Sequence, residues 1–191
     1  MEVYIVLTHT GTLFTRFIRL FTKQPLNHAS IAFTKELDET FSFGRKKPTN
    51  PFIGGFVKED LKGQLFRNAD CAIYRCSISR SQYERMQRFV QVIESNQCEY
   101  KYNFIGLLGV LFNRTIDLKK SYFCSQFVAA VLSNGGITIK NKPECLVKPS
   151  DFMDSHQFQM VYEGKLTSFL EQQGKNKEVL TGKKRFYLLP S

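Results

Sequence analysis

Two short apolar stretches separated by six polar residues constrain this chain most. His28-Ala-Ser-Ile-Ala-Phe33 is followed by Thr34 to Glu39, and then by Thr40-Phe-Ser-Phe43. Such a pattern reads as a β-hairpin with a polar loop. Upstream, Val3-Tyr-Ile-Val-Leu7 is an unbroken apolar run of strand length, the signature of a buried strand. An antiparallel sheet nucleus must therefore form early in the chain. Its exposed apolar face has to be covered by whatever follows.

The covering elements are helical. Ser81-x-x-Glu84 has the form of a capping box, and it opens a helix to about Glu94 with Tyr83, Met86, Phe89, Val90 and Ile93 on one face. A second helix is predicted over about Tyr102 to Phe112. It contains FIGLLGVLF from Phe104, apolar all round, a pattern that usually marks a core helix. A third runs from near Cys124 to Leu132, with Asn134-Gly135 as its C-cap. Thr12 to Thr22 places Leu13, Phe14, Phe17, Ile18 and Phe21 at helical spacing, with Arg16 and Arg19 off that stripe, and Gln24-Pro25 ends it. Residues 70 to 78, Phe158 to Tyr162 and Arg185 to Leu189 read as further strands. Gly44 to Gly55, punctuated by Pro, Gly and basic residues, reads as a solvated loop. Together these elements predict one α+β domain over 1–191. Its core spans about 3–162, and a basic extension spans 165–191, where six basic and two acidic residues fall.

At 191 residues the chain can bury a sizeable core without disulfides or metal. Its 27 Lys and Arg against 17 Asp and Glu leave a net charge of +10, which favours anionic partners without choosing among them. The opening residues, Met1 to Leu7, carry no basic region ahead of a long apolar segment, so no secretory signal is read there. Five cysteines without framework spacing suggest a reducing compartment, and a cytoplasmic protein is expected. Cys71-x4-Cys76 is not a zinc-binding pair, and neither a phosphate-binding P-loop nor a dinucleotide fingerprint occurs.

The sharpest chemical feature is Ser121-Tyr-Phe-Cys-Ser-Gln-Phe-Val128, which delivers Cys124 to the start of a helix. Unpaired backbone N–H groups and the helix dipole favour an anion there, and so lower a thiol pKa. The plainer reading is a buried structural cysteine. A thiolate nucleophile needs a base, and there are three histidines. His28 opens a strand, a rigid mount with an open side, and is the first choice. His9 is the reserve, and His156 lies in a polar stretch read as exposed. A third group commonly orients such a histidine. Ser42, fourteen residues on and on the returning strand, can share a face with His28; Glu39, Thr40 or a backbone carbonyl are the alternatives.

These pieces resemble the permuted papain-like amidases (YiiX/YaeF-like) of the NlpC-type superfamily, in which the histidine strand precedes the cysteine helix. The matching segments are the N-terminal strand and helix, His28 to Phe33, Phe41-Ser-Phe-Gly44, Tyr102-Asn-Phe104, Phe123-Cys-Ser-Gln-Phe127 and Lys148-Pro-Ser-Asp-Phe152. They span roughly residues 3 to 152. The resemblance implies a permuted papain-like (NlpC-type) fold, an antiparallel sheet packed with helices and the nucleophile at a helix N-terminus. By it Cys124 is the nucleophile and His28 the base. The chain departs from the pattern twice. The third polar position, commonly acidic or histidine, is matched by Ser42, and the residue two after the cysteine, commonly Glu, is Gln126.

The expected activity is hydrolysis of an amide or ester through a thioester acyl-enzyme, with no cofactor and no metal. Acyl transfer on a lipid-like substrate is one alternative. A catalytically silent binding module for an anionic partner is another, supported by the Ser42 departure. The expected partners are an amide- or ester-bearing substrate and, from the charge, an anionic substrate or membrane surface. Specific nucleic-acid binding is not expected.

Overall fold

The computed structural model describes residues 1–9, 25–47 and 50–175. The helix expected over Thr12 to Thr22 and the strand over Arg185 to Leu189 lie outside those residues. Six strands form one antiparallel sheet: β1 (Glu2–His9), β2 (His28–Ala32), β3 (Thr40–Lys47), β4 (Asn50–Lys58), β5 (Asp70–Ser77) and β8 (Gln159–Lys165), in the order β4-β3-β2-β1-β5-β8. The observed architecture is therefore α+β with an antiparallel sheet and packed helices.

β1 pairs on both sides, Val6 with Ser30 of β2 and Ile5 with Tyr74 of β5. Both of its faces are buried, which is why Val3 to Leu7 reads as a continuous apolar run. Val3, Ile5 and Leu7 meet one core cluster, Tyr4 and Val6 a second on the opposite face. Helices α1 (Arg80–Ser95) and α3 (Cys124–Asn134) supply the first cluster with Met86, Val90, Ile93, Phe127, Val128 and Leu132. The second is closed by Leu61, Phe66, and by Leu166 and Phe169 of a helix, α5, over residues 166–175.

Aromatic packing fixes the sheet to α3. Phe127 stands 5.1 Å from Phe43 of β3 and 5.8 Å from Phe56 of β4, ring centre to ring centre. Phe41 stacks on Phe56 at 5.9 Å. Such pairs add about 0.5–1.5 kcal/mol each beyond the area they bury.

The structure corrects three local expectations. The stretch Gly44 to Gly55 is not a loop: β3 runs on to Lys47, and β4 returns from Asn50. The α1 cap is Ser79, not Ser81. Its hydroxyl accepts from the Gln82 backbone N–H at 3.2 Å, and the Gln82 side-chain Oε1 accepts from the Ser79 N–H at 3.0 Å. α2 (Phe104–Leu111) begins after its cap Asn103, whose Oδ1 accepts from the Gly106 N–H at 2.7 Å, and it is not a core helix. Its glycines face the body while Ile105 and Leu108 are exposed. β6 (Lys101–Tyr102), just before α2, and β7 (Ser121–Tyr122), just before α3, form a short parallel pair. A short helix, α4 (Pro149–Met153), precedes β8.

Candidate functional site

Cys124 is the first residue of α3, 4% exposed, behind the extended residue Phe123. At such a position the backbone N–H has no intrahelical acceptor. The helix start is pinned from two sides. Ser125 Oγ donates to the Val147 carbonyl at 2.7 Å, and Gln126 Oε1 accepts from the Phe123 N–H at 3.4 Å. Gln126 also donates to Asp117 at 3.2 Å and accepts from Asn103 Nδ2 at 3.4 Å. Its amide thus serves as a hub between α2, the loop after it and the cysteine helix.

His28 opens β2, opposite Thr8 of β1. Its side chain is 17% exposed, and it is near enough to Cys124 for each to shift the other's pKa. Residues 28 and 30 share a sheet face, and Ser42 of β3 approaches them across the hairpin. Ser42 Oγ lies 3.3 Å and Ser30 Oγ 3.4 Å from His28 Nε2. A Cβ at Gly44 would stand 3.6 Å from His28 Cε1, an ordinary contact, so this position lines the ring without crowding it.

The closest group to Nε2 is none of the residues singled out in the sequence. Glu59 Oε1 is 2.6 Å from it, and Glu59 Oε2 accepts from Ser30 Oγ, also at 2.6 Å. Glu59 directly follows β4, its N–H bonded to the Thr40 carbonyl at 2.8 Å, and its side chain is 5% exposed. With Nε2 held by this carboxylate, Nδ1 is the ring nitrogen left for the sulfur.

The electrostatics follow from this chain of contacts. Burial alone would lower the His28 pKa. The Glu59 carboxylate and the Cys124 sulfur override it and raise the imidazole to about 10. Burial alone would raise the Cys124 thiol; the His28 ring and the backbone N–H groups of Ala29 and Ser125 bring it below the ordinary value. Among the other cysteines, burial raises Cys71 to about 12 and pushes Cys76 and Cys145 up as well. A thiolate beside an imidazolium is the state this arrangement favours.

The structure thus brings together Cys124, His28 and Ser42. Glu39 lies at the other end of the β2–β3 hairpin, next to the Ala32–Thr40 pair, and is not in the cluster. Thr40 Oγ1 donates to the Leu37 carbonyl instead. His9 ends β1 opposite Asp70, and His156 is exposed between α4 and β8. Glu59 carries no local signal of its own: it follows the apolar pair Phe56-Val57 and Lys58, just beyond the stretch 44–55 read as a loop. The pairing of Phe56, Val57 and Lys58 with Phe43, Ser42 and Phe41 is what sets Glu59 beside the hairpin. Comparison of the chain with protein-family models, with curated proteins and with solved structures finds no match in any of the three.

Proposed function

We propose that this protein is a cysteine-dependent hydrolase of amide or ester bonds, with its catalytic groups in a permuted papain-like arrangement. The observation that carries the reading is the line Cys124–His28–Glu59, in which a buried carboxylate 2.6 Å from one imidazole nitrogen leaves the other for a thiol at a helix start. Cys124 as thiolate attacks the substrate carbonyl. The backbone N–H groups at the start of α3 face the developing oxyanion. His28, as imidazolium, gives its proton to the departing amine or alcohol, and the carbon–heteroatom bond breaks to leave a thioester. Neutral His28 then takes a proton from water, whose oxygen attacks the thioester. The acid leaves, and the thiolate–imidazolium pair is restored. Glu59 holds the ring and stabilises its charged form, the part the family resemblance assigns to Ser42. Every group this cycle needs is supplied by the chain's own side chains and backbone.

A silent binding module draws its support from the lack of an acid beside His28, and Glu59 supplies one. Acyl transfer, in which a second nucleophile replaces water, uses the same first half-reaction. A free thiol at the centre of the chemistry suits a reducing compartment such as the cytoplasm. Among the described residues no helix is long and apolar enough to cross a membrane.

The test is labelling with iodoacetamide at about pH 6, where an ordinary thiol is almost wholly protonated. Wild-type protein should be alkylated at Cys124 well ahead of the exposed Cys98. Cys124→Ala should lose that label and any turnover of a panel of acyl electrophiles while keeping its fold, because a small side chain at a helix start gives up little packing. A Cys124 that reacts no faster than Cys98, or turnover that survives Cys124→Ala, removes the nucleophile from the reading.

A further inference from the structure

Helix α2 is packed the reverse of an ordinary surface helix. Gly106, Gly109 and Val110 face the body of the protein. Ile105, Leu108 and Phe112, spaced three and four residues apart, face away and are 59%, 50% and 73% exposed. Leu118, from the loop that follows, adds a fourth apolar side chain at 43% exposure. Contact geometry enforces this orientation. A Cβ at Gly106 would lie 2.1 Å from the capping side chain of Asn103, and one at Gly109 would lie 2.7 Å from the Arg114 carbonyl oxygen. At these two inner positions only glycine fits, so Ile105, Leu108 and Phe112 of a helix apolar all round are left pointing outward. Clustered apolar exposure of this kind marks an interaction surface.

The charges around the patch say what kind of surface. Arg114 and Lys119, in the loop that carries Leu118, are exposed and make no salt bridge among the described residues, whereas Lys120 is paired with Glu99. The chain as a whole carries +10. A protein partner that buried the four apolar residues would need to leave room for both cations, whereas an anionic lipid headgroup layer accepts apolar and basic side chains together. We propose that this face docks the protein on an anionic phospholipid surface. Ile105, Leu108, Phe112 and Leu118 enter the boundary between headgroups and acyl chains, and Arg114 and Lys119 meet the phosphates. The patch adjoins the candidate site. β7 leads directly into Phe123 and Cys124, and Asn103, the cap of α2, donates to Gln126 of α3 at 3.4 Å. Docking therefore brings the cysteine helix to the lipid, although the binding itself requires nothing of the thiol.

The chain contains no Trp, so Phe112→Trp creates a single fluorescent reporter at the centre of the patch. Its emission should shift to the blue on addition of phosphatidylcholine–phosphatidylglycerol vesicles, less so with phosphatidylcholine alone, and the shift should be reversed by salt. In vesicle sedimentation, the double change Arg114→Gln with Lys119→Gln should weaken binding about thirtyfold, at about fivefold for each charge. Ile105→Ser with Leu108→Ser should abolish binding, with circular dichroism unchanged because both positions are exposed. No spectral shift with either vesicle overturns the proposal. So does emission that is already blue without lipid. If that emission is independent of protein concentration, the chain covers its own patch; if it grows with concentration, a second copy does. Iodoacetamide labelling without vesicles reads the thiolate alone, so failure of either result is distinguishable from failure of the other.

Discussion

Glu59→Gln keeps the shape of the side chain beside His28 and removes its charge, so it isolates what the carboxylate contributes. The imidazole, now raised mainly by Glu59, should fall back from about 10, and the Cys124 thiol should rise because its imidazolium neighbour is less populated. The thiolate–imidazolium window narrows from both sides. In a pH profile of acylation the alkaline limb moves down and the acid limb moves up. The maximal rate should drop by about a hundredfold or more, toward the range seen when a positioned base is lost. An unchanged alkaline limb shows that Glu59 does not set the His28 charge. Ser42→Ala should cost less than tenfold, since its hydroxyl stands 3.3 Å from Nε2 against 2.6 Å for Glu59. Ser42→Asp should lower stability, because it buries a second carboxylate near Glu59 at a position that is 0% exposed. Cys124 and His28 are legible in the sequence because each sits at the boundary of an element that its own neighbours define. Glu59 is not, because its place depends on a strand pairing that local composition conceals.

That concealment has a physical cause at the scale of the element. β4 contains Pro51 and the pair Gly54-Gly55, ordinarily signs of a loop. It is the edge strand of the sheet, where a missing N–H is tolerated. Its glycine answers a close approach: a Cβ at Gly54 would stand 2.8 Å from the Cβ of Tyr102 in β6. The chain spends glycine where two backbones must nearly touch, and the same rule governs α2. Replacing an interior helix glycine by alanine normally stabilises by about 1 kcal/mol. Gly106→Ala should do the opposite, because the new methyl displaces the Asn103 side chain and takes away the helix cap, a loss of about 1 kcal/mol or more in urea unfolding. A rise in the midpoint shows that the cap can shift without cost. The apolar periodicity of α1 is readable because it buries one face, whereas α3 and the hairpin strands β2 and β3 are buried on every side and are readable from their apolar runs and bounding polar residues. α2 defeats the same reading, since an all-apolar helix does not say which side meets the protein.

For the whole molecule, the coupled pair shapes stability against pH. His28 has its folded pKa raised from 6.5 to about 10, so its contribution is complete below 6.5 and is lost as pH rises through 10. Cys124 has its folded pKa lowered from 9.0, so its contribution is complete above 9.0 and is lost as pH falls through the lowered value. Between 6.5 and 9.0, wherever Cys124 is a thiolate in the folded chain, the native state holds one extra proton on His28 and lacks one on Cys124. The two slopes cancel. Wild-type stability should be nearly flat across that window, whereas Cys124→Ala leaves the His28 slope unopposed and should lose stability steadily as pH rises. Urea midpoints at several pH values decide the matter, and parallel curves for the two proteins refute the coupling. Asp151 acts at the acid end. Burial raises its carboxyl, but Lys142, the Lys148 N–H and Lys140 hold it below 3.8, so its contribution is lost as pH falls through that lowered value.

The order of the three groups along the chain has its own consequence. His28 and Glu59 belong to a meander of neighbouring strands, while Cys124 arrives on a helix sixty-five residues after Glu59 and is seated only when Phe127 meets Phe43 and Phe56. Local hairpins form ahead of such distant contacts. Until α3 docks, the thiol has no imidazolium beside it and titrates like any exposed cysteine. A nascent or misfolded chain is therefore chemically quiet, and a mildly acidic thiol probe counts finished molecules rather than synthesised ones.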